Sequence, residues 1–145
     1  MTPRWLDCLD PIASHLAASY PNEGCGLILE TDQGFGFLPV PNLAPSAVAS
    51  HTFELDPTAL LQADSRGERV SVIVHSHVDV DADFSGADVR AALAPGAPAR
   101  PWYPDVDHLV VAVVDGVART AALSRFAPPG AFPRIWSHAF RPLRM

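Results

Sequence analysis

Three stretches of the chain begin with a residue that favours a helix N-cap. In the first two, Thr2 and Asp56 are each followed by proline, which fits the first position of a helix. Ser85 favours a cap at the start of the third stretch. Helices are therefore predicted from residue 2 to the proline at 21, from 56 to about 66 and from 85 to about 93.

Short apolar runs rich in β-branched residues lie between these helices. The turn signals Asp32-Gln33-Gly34 and Asp115-Gly116 each separate two such runs and predict two strand pairs. The run at 70–74 is β-branched nearly throughout, which favours a central strand buried on both faces. Strands are predicted at 26–30, 35–40, 51–55, 70–74, 108–114 and 117–123.

The last stretch of the chain shows no clear hydrophobic period. We therefore predict one domain over residues 1–126, followed by an irregular C-terminal tail, residues 127–145, that packs on the domain. A chain of 145 residues is long enough to bury a core without disulfides or metals. Its composition, 48% hydrophobic and 18% charged, is typical of a globular protein.

Charge and cysteine content argue against several classes of function. The formal net charge is −6 and the chain has no lysine, which disfavours nucleic acid as a partner. No stretch approaches the roughly eighteen continuous apolar residues of a membrane span. Two cysteines are too few for a disulfide framework, and the N-terminus lacks a signal-peptide pattern. We therefore expect a cytoplasmic protein with no nucleic-acid or membrane partner.

Two histidines directly follow the predicted central strand. His75 and His77 are two residues apart, so on a strand their imidazoles point to the same face. Asp88 lies on the first turn of the next predicted helix, where it shares a face with Ser85. Zinc suits two imidazoles and one carboxylate, and a catalytic zinc keeps a fourth position for water. The sequence thus predicts a metal site with His75, His77 and Asp88 as ligands.

A hydrolytic metal site also needs a carboxylate that is not a ligand, because a base must take a proton from water. Glu23 is favoured, since the small residues of Gly24-Cys25-Gly26 would let the backbone pass close to a buried site. Glu30 and Glu54 remain open on chemical grounds. The hydroxyl of Ser85 is a candidate donor to the oxyanion of a tetrahedral intermediate.

The spacing of these residues resembles the JAMM signature of MPN-domain metallopeptidases. His75-x-His77 is followed after seven residues by Ser85 and after two more by Asp88, with Glu23 upstream. The likeness covers roughly residues 5–125, and segments 41–42, 53–57 and 102–114 look like the short stand-alone bacterial members. One departure is Val78, where the family usually has proline, which puts the placement of loop 78–84 in doubt.

This resemblance implies an α+β domain with a curved mixed β-sheet flanked by helices, the MPN/JAMM and cytidine-deaminase-like fold. It implies a zinc metallopeptidase with one Zn²⁺ per chain, held by His75, His77 and Asp88, and with Glu23 and Ser85 as catalytic residues. The implied substrate is the diglycine tail of a ubiquitin-like or sulfur-carrier protein, cleaved at a peptide or isopeptide bond. A homodimer is left open.

The same residues also have plainer explanations. Ser85 and Asp88 fit a capping box, and two strand-end histidines can be satisfied by the backbone. A non-catalytic MPN-type scaffold or interaction module is the alternative function, and the completeness of the motif argues against it. Cys25 is expected to be a small buried hydrophobe, and Trp102 with Tyr103 either a substrate lid or an aromatic plug over the core.

A calcium loop and further histidine ligands are disfavoured. The run Asp79-Val-Asp81-Ala-Asp83 has alternating carboxylates, but an EF-hand starting there would place Phe84 at its glycine position and Arg90 at its closing glutamate. We interpret these aspartates as a solvated acidic rim. The histidines at 51, 108 and 138 have no partner spacing and are expected to be structural or solvated.

Overall fold

A mixed six-stranded sheet forms the centre of the protein. The structure, a computed structural model, describes residues 1–141. The strands are β1 (Cys25–Thr31), β2 (Gly34–Val40), β3 (Arg69–Val78), β4 (Leu93–Ala94), β5 (Arg100–Pro101), β6 (Asp107–Val114), β7 (Val117–Ser124) and β8 (Arg134–Ala139). The sheet has the order β2-β1-β3-β6-β7-β8, and β4 pairs with β5 in a separate short ladder.

Strand β3 lies inside the sheet, as the sequence predicts. It pairs antiparallel with β1 and parallel with β6, with His75 opposite Cys25 on one side and opposite Val110 on the other. Val72, Val74 and His75 of this strand are all buried. This unbroken apolar run explains why the pattern indicates burial on both faces. The strand therefore carries both histidines into the interior at its C-terminal end.

Helices flank the sheet on both sides, which confirms the expected α+β class with a mixed sheet. After a 3₁₀ turn (Leu6–Cys8), the helices are α1 (Leu9–Ser19), α2 (Pro57–Ser65) and α3 (Gly86–Ala92). The apolar side of α1, with Ile12 and Leu16, is buried in the larger core cluster, and α2 buries Ala63 in a second cluster with Ile73. No helix among residues 1–141 is long and apolar enough to cross a membrane.

The first helix is present, but its predicted start at Thr2 is wrong, and so is the strand predicted at 51–55. The helix does not begin at Thr2, because Trp5 is buried and packs edge-on against Trp136 before the 3₁₀ turn. In segment 51–55 only Leu55 forms an isolated bridge, to Asn42. The Asn42 side chain donates to the Thr52 carbonyl and accepts from the Glu54 N–H, so an amide takes the place of a strand ladder.

The predicted irregular C-terminal tail is also wrong for residues 134–139. These residues form β8, which adds to the sheet beside β7. Ile135 and Trp136 pack against the main core. The prolines in this stretch interrupt the hydrophobic pattern, so the sequence does not reveal this burial. Residues 142–145 of the predicted tail lie outside the described residues. The boundary at 126 stays a prediction.

Candidate metal centre

The three predicted ligands meet where β3 ends and α3 begins. The Nε2 atom of His77 lies 3.0 Å from Oδ2 of Asp88, and Nε2 of His75 lies 3.3 Å from Oδ1 of the same carboxylate. One ligand atom from each residue falls within 4.8 Å of the other two. Zinc–ligand bonds of about 2.0–2.2 Å in a tetrahedron separate neighbouring ligand atoms by about 3.3–3.6 Å. The two distances to Asp88 are close to that spacing.

The tautomer of His77 leaves its inner nitrogen free to bind a cation. Its Nδ1 lies 2.9 Å from the carbonyl oxygen of Asp81, and a carbonyl can only accept, so Nδ1 donates. In a neutral ring, Nε2 then carries a lone pair, which faces the Asp88 carboxylate. Burial opposes ionisation of Asp88, but the neighbouring rings of His75 and His77 outweigh it and hold the pKa of Asp88 well below its usual range. A proton or a metal ion is needed between these two acceptors.

His75 provides the clearest sign that this site is built for a cation. The residue is 1% exposed, its ring stacks on Phe53 with centroids 4.3 Å apart, and burial lowers the pKa of the ring against the opposing effect of Asp88. Among the described residues neither ring nitrogen has a hydrogen-bond partner, since the approach of Asp88 to Nε2 is not aligned for one. Buried polar atoms are rarely left unpaired, and a bound metal ion would satisfy Nε2.

Ser85 caps α3 and orients the Asp88 carboxylate at the same time. The Ser85 N–H donates to Asp88 Oδ2 at 3.0 Å, and the Asp88 N–H donates to Ser85 Oγ at 3.1 Å. This is the capping box that the spacing indicates. Because Oγ accepts in this arrangement, its own proton remains available to a substrate oxygen. The plain explanation and the predicted catalytic one are therefore compatible.

Glu23 lies next to this cluster, just before β1. Gly24, between Glu23 and β1, is fixed to β3, since the Ser76 N–H donates to the Gly24 carbonyl and the Gly24 N–H donates to Ser76 Oγ. The Asn42 amide donates to the Glu23 carbonyl at 2.9 Å. Glu23 is 6% exposed, and this burial raises the pKa of its carboxyl to about 7, with His77 opposing the shift and Asp88 adding to it.

The two other carboxylates that the sequence left open have different surroundings. Glu30 forms an ion pair with Arg69 on the exposed side of the sheet. Glu54 is exposed and lies at the edge of a cavity beside His75. Of the three, Glu23 alone is buried. Its role as the base stays a prediction.

The glycines beside Glu23 are needed for a reason other than the predicted close passage of the backbone beside a buried site. A Cβ on Gly24 would lie 2.5 Å from Ser19 Oγ, and one on Gly26 would lie 2.5 Å from the Phe37 ring. They thus allow close packing of this segment against α1 and β2 rather than passage of the backbone beside the metal ligands. Cys25 between them is fully buried, and burial followed by the charge of Glu23 raises the pKa of its thiol to about 12, as expected for a small buried hydrophobe.

A cavity of ≈270 Å³ opens beside the ligands. His75 and Asp88 line one side of it, and Phe84, Tyr103 and His108 line other parts. Tyr103 and its neighbour Trp102 are exposed, which excludes the aromatic plug over the core. A larger cavity of ≈720 Å³ lies elsewhere, at the N-terminal segment, and none of the three ligands lines it.

Sequence reasoning missed the surroundings of the ligands. His108 is buried between the rings of Phe84 and Phe132, at centroid distances of 5.1 and 5.5 Å, so it is structural, one of the two settings expected for it. The carbonyl of Asp81 that orients His77 is a backbone group, which leaves no trace in a residue pattern. For His108, a signal was available, because it begins the apolar run that is predicted as a strand at 108–114.

The three aspartates interpreted as a solvated rim are exposed, as expected, and two of them also hold loop 79–84 in place. Asp79 accepts from the Tyr20 hydroxyl and from the Asp115 N–H, and Asp83 forms an ion pair with Arg134 of β8. These contacts fix the loop whose placement the missing proline had put in doubt.

Comparisons with known proteins agree with this architecture. The family model of Prok-JAB, "Prokaryotic homologs of the JAB domain", matches residues 6–126 of this chain. A solved protein from Desulfitobacterium hafniense is similar with a TM-score of 0.64 at 19% identity, over 89% of this chain and 86% of that one. A protein from Salinibacter ruber is similar with a TM-score of 0.61 at 30% identity, over 97% and 90%.

One curated relative is named for assembly. The chain is 34% identical over 95 residues, 66% of its length, to the "Tail tip assembly protein K" of Escherichia phage N15. It spans 37% of the length of that relative.

Proposed function

Because the chain belongs to the Prok-JAB family, the prokaryotic homologs of the JAB domain, we propose that it is a zinc-dependent peptidase or isopeptidase. The proposed substrate is the diglycine C-terminus of a ubiquitin-like or sulfur-carrier protein. The observation that carries the proposal is the convergence of His75, His77 and Asp88 on one point, with both nitrogens of His75 buried and unpartnered among the described residues. Two imidazoles and a carboxylate are a donor set that suits catalytic zinc.

Glu23 supplies the base. A bound zinc ion would polarise the scissile carbonyl and make water a better nucleophile. The Glu23 carboxylate takes the proton of the attacking water and delivers it to the leaving amine. A pKa raised to about 7 suits both halves of this transfer near neutral pH. The Ser85 hydroxyl donates to the oxygen on which negative charge develops.

Glycine suits the substrate position that passes the ligands. The rings of His75 and His77 lie with centroids 5.1 Å apart, and Ser85 closes the same side at the start of α3. A side chain there would meet these groups, whereas glycine has none. Strand β3 is already paired on both sides, so an extended tail cannot add to it. The short β4–β5 ladder is a better place for an extended tail to pair, because Ala92 before β4 and Tyr103 after β5 line the cavity.

The proposal is tested with carriers that end in Gly-Gly followed by a short extension, with products weighed by mass spectrometry. The zinc-loaded protein should release the extension, and replacing the final glycine by alanine should slow cleavage. Glu23→Gln should retain zinc and lose about 10²- to 10⁴-fold in rate, since an amide cannot accept the proton. The matched control, Glu54→Gln, changes an exposed carboxylate at the same cavity and should keep the rate. A wild-type rate for Glu23→Gln with a loss for Glu54→Gln would reassign the base.

A non-catalytic assembly module is the second candidate. The JAB family includes hydrolases, but Prok-JAB members can be inactive, and the similarity to a phage protein named for tail tip assembly favours this alternative. A scaffold has no need for a buried carboxylate beside two buried histidines and the Asp88 carboxylate. Absence of turnover by the zinc-loaded protein on every Gly-Gly carrier would favour the scaffold.

A further inference from the structure

The cavity beside the metal ligands has apolar walls. Phe53, which stacks on His75, lines it together with Leu55, Ile73 and Ala92 at the end of α3. Its volume is ≈270 Å³. A water molecule occupies about 30 Å³ in the liquid, so this space is roughly that of nine waters, several of which would lie against apolar side chains. An apolar group would be the better occupant.

The walls are held in place by packing, so the cavity is preformed. Phe53 stacks on His75 with an angle of 21° between the rings. Phe84 packs against Phe132 at 5.0 Å and against His108 at 5.1 Å, which fixes it from behind. A preformed apolar cavity favours binding, because its side chains do not lose further freedom when the ligand enters.

Charge at the cavity restricts its occupant further. Glu54 lies exposed at its edge. Asp88 also lines the cavity, but as a proposed ligand its charge would be offset by the zinc ion. An acidic side chain is therefore disfavoured by Glu54 and by the apolar part of the lining.

We propose that this cavity binds a large apolar side chain of the substrate, aromatic or branched aliphatic, on the residue that leaves after cleavage. The inference rests on the proposed function, in which glycines occupy the other side of the scissile bond and leave the cavity unfilled. Because His75 and Asp88 belong both to the metal centre and to the cavity wall, the side chain that fills the cavity belongs to a residue next to the reacting bond.

Cleavage is compared on carriers that end in Gly-Gly followed by phenylalanine, leucine, glycine or aspartate, with the zinc-loaded protein. We expect kcat/KM to be about 10- to 150-fold higher for phenylalanine and leucine than for glycine, which is the effect of burying one such side chain. Aspartate should be cleaved more slowly than glycine. Equal rates for all four extensions would overturn the proposal.

Ala91→Phe tests the location. Ala91 is an exposed residue of α3, one before its end, and lines the cavity, so a ring there reduces the space without entering the core. The variant should lose most of the preference for phenylalanine over glycine. Ala18→Phe is the matched control, since Ala18 is exposed, lies one before the end of α1 and is remote from the cavity; its preference should equal that of the wild type. An unchanged preference in Ala91→Phe would overturn the location.

A binding measurement separates this inference from the proposed function. The zinc-loaded Glu23→Gln variant is titrated with the same uncleaved carriers by calorimetry. Tighter binding of the phenylalanine carrier than of the glycine carrier supports the cavity even if the wild-type protein cleaves neither, in which case the proposed function fails by itself. Equal binding of both carriers overturns the cavity proposal whatever the cleavage assay gives.

Discussion

Protonation of His108 is expected to destabilise the fold as the pH falls. The ring is 7% exposed and lies between Phe84 and Phe132. Burial, followed by the nearby His75, lowers the pKa of His108 from 6.5 to about 4, although Asp107 and Asp88 oppose the shift. A basic group whose pKa is lower in the folded protein than in the unfolded chain contributes stability above the pKa of the unfolded chain. That contribution is lost as the pH falls towards the pKa of the folded protein, because only the unfolded chain binds the proton in this interval.

The size of the effect follows from the two pKa values. The shift from 6.5 to about 4 is about 2.5 units, and each unit corresponds to about 1.36 kcal/mol. The unfolded chain is protonated below pH 6.5 while the folded protein resists protonation until about pH 4. We therefore expect a loss of about 3 kcal/mol in the free energy of unfolding across this interval, a large part of a typical stability of about 5–15 kcal/mol.

Urea unfolding of the metal-free protein, followed by tryptophan fluorescence between pH 7 and pH 4, measures this loss. His108→Phe keeps a ring in the aromatic cluster and cannot titrate, so its free energy of unfolding should fall by about 3 kcal/mol less than that of the wild type. Other groups, such as Glu23 and Asp88, titrate in both proteins and largely cancel in the difference. His51→Phe, at an exposed position, should behave as the wild type does. The same pH dependence in wild type and His108→Phe would refute the reasoning.

Three further outcomes are expected. Ser85→Ala should slow turnover while zinc stays bound, because the variant loses a donor to the developing oxyanion but keeps the backbone N–H that orients Asp88; steady-state rates and metal content check this. Removal of the metal by a chelator should abolish cleavage and leave the far-UV circular dichroism spectrum largely intact, because the core folds without it. Gly24→Ala should destabilise the protein by about 1–3 kcal/mol in urea unfolding, since its Cβ would lie 2.5 Å from Ser19 Oγ. Gly36→Ala, with nothing within 4 Å of the added atom, is the control and should change little.

The parts of the fold that were predictable from sequence are those with a strong local period or an explicit cap. The hydrophobic run into His75 could hardly form anything but a buried strand, and Asp56 caps α2 where the Asp-Pro pair indicates. Strand β8 was missed because Trp136 and its neighbours gain their burial from distant residues of the core. The strand predicted at 51–55 failed because the side chain of Asn42 provides hydrogen bonds that a pattern of apolar residues does not reveal.

The candidate site was likewise predictable from the sequence only in part. The spacing of His75, His77 and Asp88 was enough to predict that they meet, because strand and helix geometry fix where each side chain points. The groups that tune them come from elsewhere: a backbone carbonyl of Asp81 on His77 and a stacked ring of Phe53 on His75. Neither contact has a fixed spacing in the sequence, so both required the tertiary structure.

Metal analysis of the purified protein tests the central claim most directly. Elemental analysis after dialysis against zinc should give one zinc ion per chain for the wild type and for the exposed-site control His51→Ala. His77→Ala should retain almost none, since it loses one of three ligands whose donor atoms lie within 4.8 Å of each other. Zinc absent from the wild type, or bound in equal amount by His77→Ala, would contradict the assignment of the metal centre.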